Sequence, residues 1–205
     1  MKKLMMITII LILTNLNLQS QFTNDDSWSK QSVTLFGDYS LFLGDYGATY
    51  DAGLGIGAVY DYRPEKSYSF SGLLEYQSWS DVRNGNKAYP NRNFIDNIKL
   101  GAIAKGYFDA PQGFDAYFGL GISYNLIEYV LDTPAEGLNN SFQRFKTSDN
   151  SLGIDGVVGV RTGIYDNIKA DIMARLGWLG IENSTFIVGF SVGITYELDF
   201  ITEEY

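Results

Sequence analysis

Residues 51–63, DAGLGIGAVYDYR, alternate strictly between two kinds of side chain. Ala52, Leu54, Ile56, Ala58, Tyr60 and Tyr62 fall on one face. Asp51, Gly53, Gly55, Gly57, Val59, Asp61 and Arg63 fall on the other. Successive side chains of a strand point to opposite faces, so a period of two is the mark of a strand with one apolar and one polar side. Strands of soluble proteins usually run about five to six residues. A strand that crosses a bilayer at a tilt needs about 9–11 residues, and this stretch is long enough.

Seven more stretches carry the same period: residues 33–43, 67–79, 94–108, 114–128, 151–164, 168–178 and 185–200. The last sets Phe186, Val188, Phe190, Val192, Ile194, Tyr196, Leu198 and Phe200 against Gly189, Ser191, Gly193, Thr195 and Glu197. Eight long strands predict an all-β fold, an eight-stranded antiparallel up-and-down transmembrane β-barrel. The connections fit this. Residues 64–66, 109–113 and 165–167 read as short turns, whereas residues 80–93 and 130–150 read as longer loops on the opposite side, with shorter links at 44–49 and 179–184. Aromatic residues gather near the strand ends: Tyr60, Tyr62, Tyr68, Phe108, Phe114 and Tyr196 toward the turns, Trp79, Tyr124 and Trp178 toward the loops. Rings favour that interfacial depth.

A secreted sandwich or a lipocalin-like barrel would show the same alternation with its apolar faces turned inward. Glycine separates the readings. Eleven glycines, among them Gly53, Gly57, Gly119, Gly159 and Gly193, sit on the polar faces. Glycine weakens an exposed strand face, but the crowded interior of a small barrel needs it beside large Lys, Arg and Glu side chains.

The chain opens with Met1-Lys2-Lys3, a ten-residue apolar run from Leu4 to Leu13 broken only by Thr8, and a polar stretch ending at Ser20. That is the order of a secretory signal peptide, and the run is shorter than the about 20 residues a spanning helix requires. The expected organisation is a cleaved signal peptide at 1–20, a periplasmic N-terminal extension at 21–31, the barrel at 32–200 and an acidic tail at 201–205. With no Cys and no His, a disulfide framework, a thiol nucleophile, a Ser-His-Asp triad and ordinary zinc sites are all excluded. A formal net charge of −9 argues against nucleic acid as a partner. Gly53-Leu54-Gly55-Ile56-Gly57 resembles a phosphate loop in composition, but it lies within a strand and opens no helix. No enzyme, no cofactor and no metal site are expected.

With its signal-like start, its eight alternating strands, its Gly-rich inner faces, and segments such as GLGIGAVYDY and FSVGITYELDF, the chain resembles the outer-membrane β-barrel proteins of the Bacteroidota. These are small barrels similar in architecture to the outer-membrane protein A, X and W families. The resemblance covers the whole mature chain and implies the cell outer membrane, with lipid around the barrel. Barrels of this kind usually close their last strand on an aromatic residue; here Phe200 takes that place and Ile201 to Tyr205 run on.

The inward faces are expected to hold Asp61, Arg63, Glu75, Lys99, Lys105, Asp115, Asp155, Arg161, Lys169, Asp171, Arg175 and Glu197. Eight strands enclose room for side chains or one small ligand, and an unpaired buried charge costs several kcal/mol, on the order of 3–5. These six acids and six bases should therefore interlock as a salt-bridge core without an open pore. Asp61 and Glu75 could be imagined as an acid/base pair, but pairing with Arg63, Lys99 or Lys105 suits them better. Function then falls to the loops, chiefly residues 130–150 with Phe142, Arg144, Phe145 and Lys146, as the surface that contacts a partner protein or surface polymer. Two alternatives remain open: a narrow barrel that passes a small or apolar solute, and an accessory subunit of an envelope secretion machine.

Overall fold

The computed structural model describes residues 28–80, 93–109, 114–134, 142–180 and 185–201. The expected signal peptide, most of the expected N-terminal extension, residues 202–205 and the centres of several loops lie outside them. Eight strands run in chain order: β1 Trp28–Leu43, β2 Gly53–Glu65, β3 Tyr68–Ser80, β4 Phe94–Asp109, β5 Phe114–Pro134, β6 Phe142–Tyr165, β7 Ile168–Leu179 and β8 Thr185–Ile201. Each pairs antiparallel with the next, and β8 returns to β1 from Trp28↔Ile201 to Leu43↔Phe186, so the sheet closes into a barrel. Closure leaves the wall without a free edge, the condition for placing strands in lipid.

Alternation decides which way the barrel turns its faces. Leu54, Ile56, Leu120, Ile122 and Leu152 are 68–70% exposed, while Asp61, Glu75 and Lys99 are 1–2% exposed. The apolar residues form the outer surface and the charges are inside, the reverse of a soluble barrel. This outward apolar band is the surface that suits lipid.

Local chemistry sets the strand ends. Asp166 and Asn167 alone join β6 to β7, and Asp166 adopts a positive φ of 29°, which Asp tolerates in a tight hairpin turn. Pro64 lies inside β2 where the β2–β3 register shifts between Tyr62 and Glu65. A bulge can accept a residue without an N–H for the ladder. Between β1 and β2, Gly44 takes φ 77° and leads into a short helix, α1 (Asp45–Thr49).

Two boundaries differ from the sequence reading. β1 begins at Trp28, so residues 28–31 belong to the barrel rather than to an extension, because β8 continues to Ile201 and supplies them with a partner. Residues 130–150 are not simply a loop. β5 runs up to Pro134 and β6 begins at Phe142, with the ladder unbroken from Leu126↔Asn150 to Pro134↔Phe142. The hydrophobic alternation fades there, but cross-strand pairing continues without it.

Candidate functional site

The lumen is built in tiers. On β7 the inward side chains run Asp171, Met173, Arg175; on β4, Lys105, Ile103, Gly101, Lys99; on β6, Arg161, Gly159, Val157, Asp155. Each strand therefore places an apolar side chain between two charges. Phe36, Val59, Leu73, Ile103, Tyr117, Val157 and Met173 meet in one buried cluster across the middle of the barrel. This belt divides the charged residues.

The tier nearest the short turns is the rim. Lys169 Nζ reaches Asp115 Oδ2 at 3.2 Å and Glu197 Oε1 at 2.8 Å. Arg63 lies 3.5 Å from Asp115 Oδ1, packs 3.7 Å from the Tyr107 ring centroid and donates to the Lys66 carbonyl. Asp115 and Lys169 remain partly exposed, with side chains 26% and 22% accessible. Above the rim, Asp61 accepts from Lys105 Nζ at 2.7 Å and from Arg161 at 3.0 Å, and Ser71 donates to it as well. Arg161 Nε also donates to Asp171 Oδ2 at 3.0 Å, and the Tyr117 hydroxyl donates to Asp171 Oδ1 at 2.7 Å. Two acids here face two bases.

Beyond the belt, Arg175 makes a two-pronged contact with Glu75, 2.6 Å on each prong, and lies 3.4 Å from Asp38. Gln77 and Ser191 donate to Asp38 at 2.6 and 2.8 Å. Lys99 donates to Asp155 at 2.9 Å. Planar guanidinium and carboxylate groups fit edge to edge, which makes the Glu75–Arg175 pair strong and directional. This tier holds three acids, Asp38, Glu75 and Asp155, against Lys99 and Arg175. All twelve charges singled out from the sequence make ion pairs, but in three tiers rather than one network. Asp38 is a participant that sequence reasoning missed, although it stands on the polar side of its strand.

A second apolar cluster fills the end opposite the turns. Phe42, Trp79, Ile95, Ile127, Leu179 and Ile187 are buried together, with Tyr46, Tyr50 and Tyr129 against them. Phe42 and Trp79 stand 4.6 Å apart between ring centroids, and Tyr46 of α1 lies 5.5 Å from Phe42. Trp79 is therefore not an interfacial ring: it is 1% exposed and points inward, because it continues the inward series Glu75, Gln77 on β3. The inward glycines make room for more than one kind of neighbour. A Cβ on Gly53 would lie 2.3 Å from the Trp79 ring, one on Gly57 2.4 Å from Phe36, and one on Gly159 2.4 Å from Tyr117. These three make room for aromatic rings, Gly119 and Gly121 lie against Ile103, and Gly189 lies against Asp38 and Arg175. A cavity of about 10 Å³ among Phe36, Lys105, Tyr117, Asp171 and Met173 has the size of one water.

At the same end β5 and β6 leave the wall as a two-stranded ribbon. β7 pairs with β6 only from Gly153 onward, and β4 pairs with β5 no further than Val130. Residues 143–150 are all exposed. Of the four residues proposed from sequence for partner contact, Phe145 is exposed, and Lys146 donates to Glu128 Oε1 at 2.6 Å across the ribbon. Phe142 and Arg144 stand opposite Pro134 and Asp132.

No protein-family model and no curated protein matches the chain. Solved structures do. Neisserial surface protein A aligns at 19% identity over 84% of this chain and 99% of its own, with a TM-score of 0.59. Ail, the attachment invasion locus protein of Yersinia pestis, solved with the heparin analogue sucrose octasulfate, aligns at 12% identity over 81% and 96% with a TM-score of 0.54. A major outer membrane protein from Thermus thermophilus aligns at 11% over 82% and 99%, also with a TM-score of 0.54. With its closed eight-strand ring, its apolar exterior and its charged interior, the chain has the fold of the outer-membrane β-barrels.

Proposed function

We propose that the protein is an exported outer-membrane β-barrel, delivered by residues 1–20, whose wall anchors the β5–β6 ribbon on the cell surface for contact with a partner protein or surface polymer. The observation that carries this reading is the ladder from Leu126↔Asn150 to Pro134↔Phe142, which extends past the neighbouring strands and exposes residues 143–150. A filled lumen agrees with it. A solute moving along the axis would have to displace the Phe36–Met173 belt and the Phe42–Trp79 cluster. The turn end then faces the periplasm and the ribbon faces outward, the loop asymmetry usual in such barrels. Ail, of the same fold, was solved with the heparin analogue sucrose octasulfate; the ribbon of this chain carries Arg144 and Lys146 beside Glu128, Asp132 and Asp149.

The test is a shortened protein in which residues 130–146 are replaced by Asn-Gly, joining Tyr129 to its ladder partner Thr147 through a two-residue hairpin turn. Cells displaying either form are applied to surfaces coated with sulfated polysaccharide or extracellular-matrix protein. Retention of the original and at least a tenfold loss for the shortened form is expected, with the heat-modifiable gel mobility of a closed barrel in both. Equal retention of the two forms refutes the contact role. Steady conductance of the purified protein in a planar bilayer would instead support the solute-passing alternative.

A further inference from the structure

The tier between the belt and the Phe42–Trp79 cluster is short of one positive charge. Asp38, Glu75 and Asp155 face Lys99 and Arg175 there, and all five side chains are at most 3% accessible. A buried charge without a counter-charge is strongly unfavourable. On β3 and β4, Gln77 and Asn97 stand opposite each other in the ladder and are 0% and 1% exposed. Each carries an amide oxygen that no donor meets among the described residues, Gln77 Oε1 and Asn97 Oδ1. The other end of each amide fixes its orientation. Gln77 Nε2 donates to Asp38 Oδ2 at 2.6 Å. Asn125 Nδ2 donates to the Ser151 carbonyl at 3.4 Å, so Asn125 turns its Oδ1 toward Asn97, whose Nδ2 donates to it at 3.1 Å. Neither amide can flip without setting oxygen against oxygen. Trp79 Nε1 is also buried and unmet, but it is a donor and stands one inward step further along β3.

We infer that this tier binds one monovalent cation, of the size of sodium or potassium, held by Gln77 Oε1 and Asn97 Oδ1 beside the carboxylate of Asp38. A water molecule could donate to both oxygens, but it would leave the surplus charge uncompensated. A cation answers both needs. Oxygen ligands suit a hard cation, and such a site requires neither Cys nor His. Charge sets the valence. One unit is missing, so a divalent ion would reverse the imbalance, and among the described residues no three acidic side chains gather as a group that could hold a metal ion. Directly opposite residues of an antiparallel pair have Cβ atoms about 4.5–5.5 Å apart, close enough for two amides to share one ion. Phe42, Trp79 and Ile187 belong to the cluster that closes the tier at its outer end, so the ion enters as the barrel forms and exchanges slowly afterwards. The site lies apart from the β5–β6 ribbon and does not depend on the contact role proposed above.

The experiment refolds the full chain into detergent micelles in sodium chloride, potassium chloride or choline chloride at equal ionic strength. The folding equilibrium constant is then read from urea titration. Choline is too bulky to sit between two neighbouring amides in a filled lumen, so it serves as the reference. An ion that binds only the folded barrel raises the constant as one plus its concentration over Kd, about tenfold at ten times Kd. That rise is expected with sodium or potassium and not with choline, a comparison that needs no variant. Asp38→Asn keeps the shape of the side chain and removes the surplus charge, and Asn97→Leu removes one of the two oxygens. Each is expected to abolish the rise, whatever its own stability in choline, because the response to the ion and not the stability is compared. Equal constants in the three salts overturn the inference and leave water or a proton to satisfy the tier. An undiminished rise in Asp38→Asn overturns it as well, since the response would then belong to the acids of the surface, which that variant leaves unchanged.

Discussion

β5 and β6 pass through two environments, and the same pair of strands behaves differently in each. Below Gly153, β6 is paired on both sides, its inward Asp155 and Arg161 are 2% and 3% exposed, and each is held by a partner on a strand that β6 does not pair with, Lys99 of β4 and Asp61 of β2. Above it, β6 is paired on one side, and the Lys146–Glu128 bridge has side chains 59% and 43% accessible. The lengths are similar, 2.9 Å for Lys99–Asp155 and 2.6 Å for Lys146–Glu128, yet the two bridges cannot be worth the same. A buried ion has lost its hydration and depends on its partner, whereas an exposed ion exchanges its partner for water at little cost. Distance alone does not rank these contacts; burial does.

The largest effect should come from the tier beyond the belt. Arg175→Ala leaves Glu75 and Asp38 without their cation and should cost about 3–5 kcal/mol, read as a lower urea midpoint for the refolded barrel. A change below about 1 kcal/mol would mean that water enters this tier freely. Removing both members of a pair sharpens the point. Lys99→Met alone strands Asp155, but Lys99→Met with Asp155→Leu should recover most of the loss, since replacing a buried pair with apolar groups is often near neutral. Next comes the belt: Met173→Ala opens a gap between Phe36 and Tyr117 and should cost about 2–5 kcal/mol, with the lower end expected if neighbours collapse into the space. At the rim, Lys169→Ala should cost about 1–3 kcal/mol: water can reach Asp115, but Glu197, with its side chain 6% accessible, loses its cation. Smallest of all, Lys146→Gln on the ribbon should cost about 0.2–0.5 kcal/mol and nothing in 1 M salt, where screening reaches about 3 Å. A ribbon substitution that destabilised the barrel as strongly as Arg175→Ala would erase the contrast between the two environments.

Much of the wall was legible in the sequence because alternation is a local signal. Leu54, Ile56 and Tyr60 against Asp61 and Arg63 suffices to assign the faces of β2, and the inward glycines point to a crowded lumen. The interior was legible only in part. The charged residues stand out on the polar faces, but Phe36, Val59, Leu73 and Met173 share those faces and read as noise in a two-class pattern. Trp79 looked interfacial because it lies near a strand end, yet the period of β3 continues from Glu75 and Gln77 to Trp79 and sets it on the lumen side. The ribbon was hidden for the opposite reason. Residues 130–150 carry little hydrophobic alternation, so a two-class pattern shows no strand there, although the backbone pairs through most of that stretch.

By itself the sequence determined the strands, their faces and the exclusion of thiol and imidazole chemistry, since each depends on residue type and short-range order. Tertiary structure decided who meets whom. Arg175 finds Glu75 across 100 residues and Ser191 finds Asp38 across 153, because the closing register between β1 and β8 sets the stagger of the whole ring. That stagger stacks the inward side chains into tiers. It also decides where β7 ends beside β6, and so where the ribbon begins to stand alone.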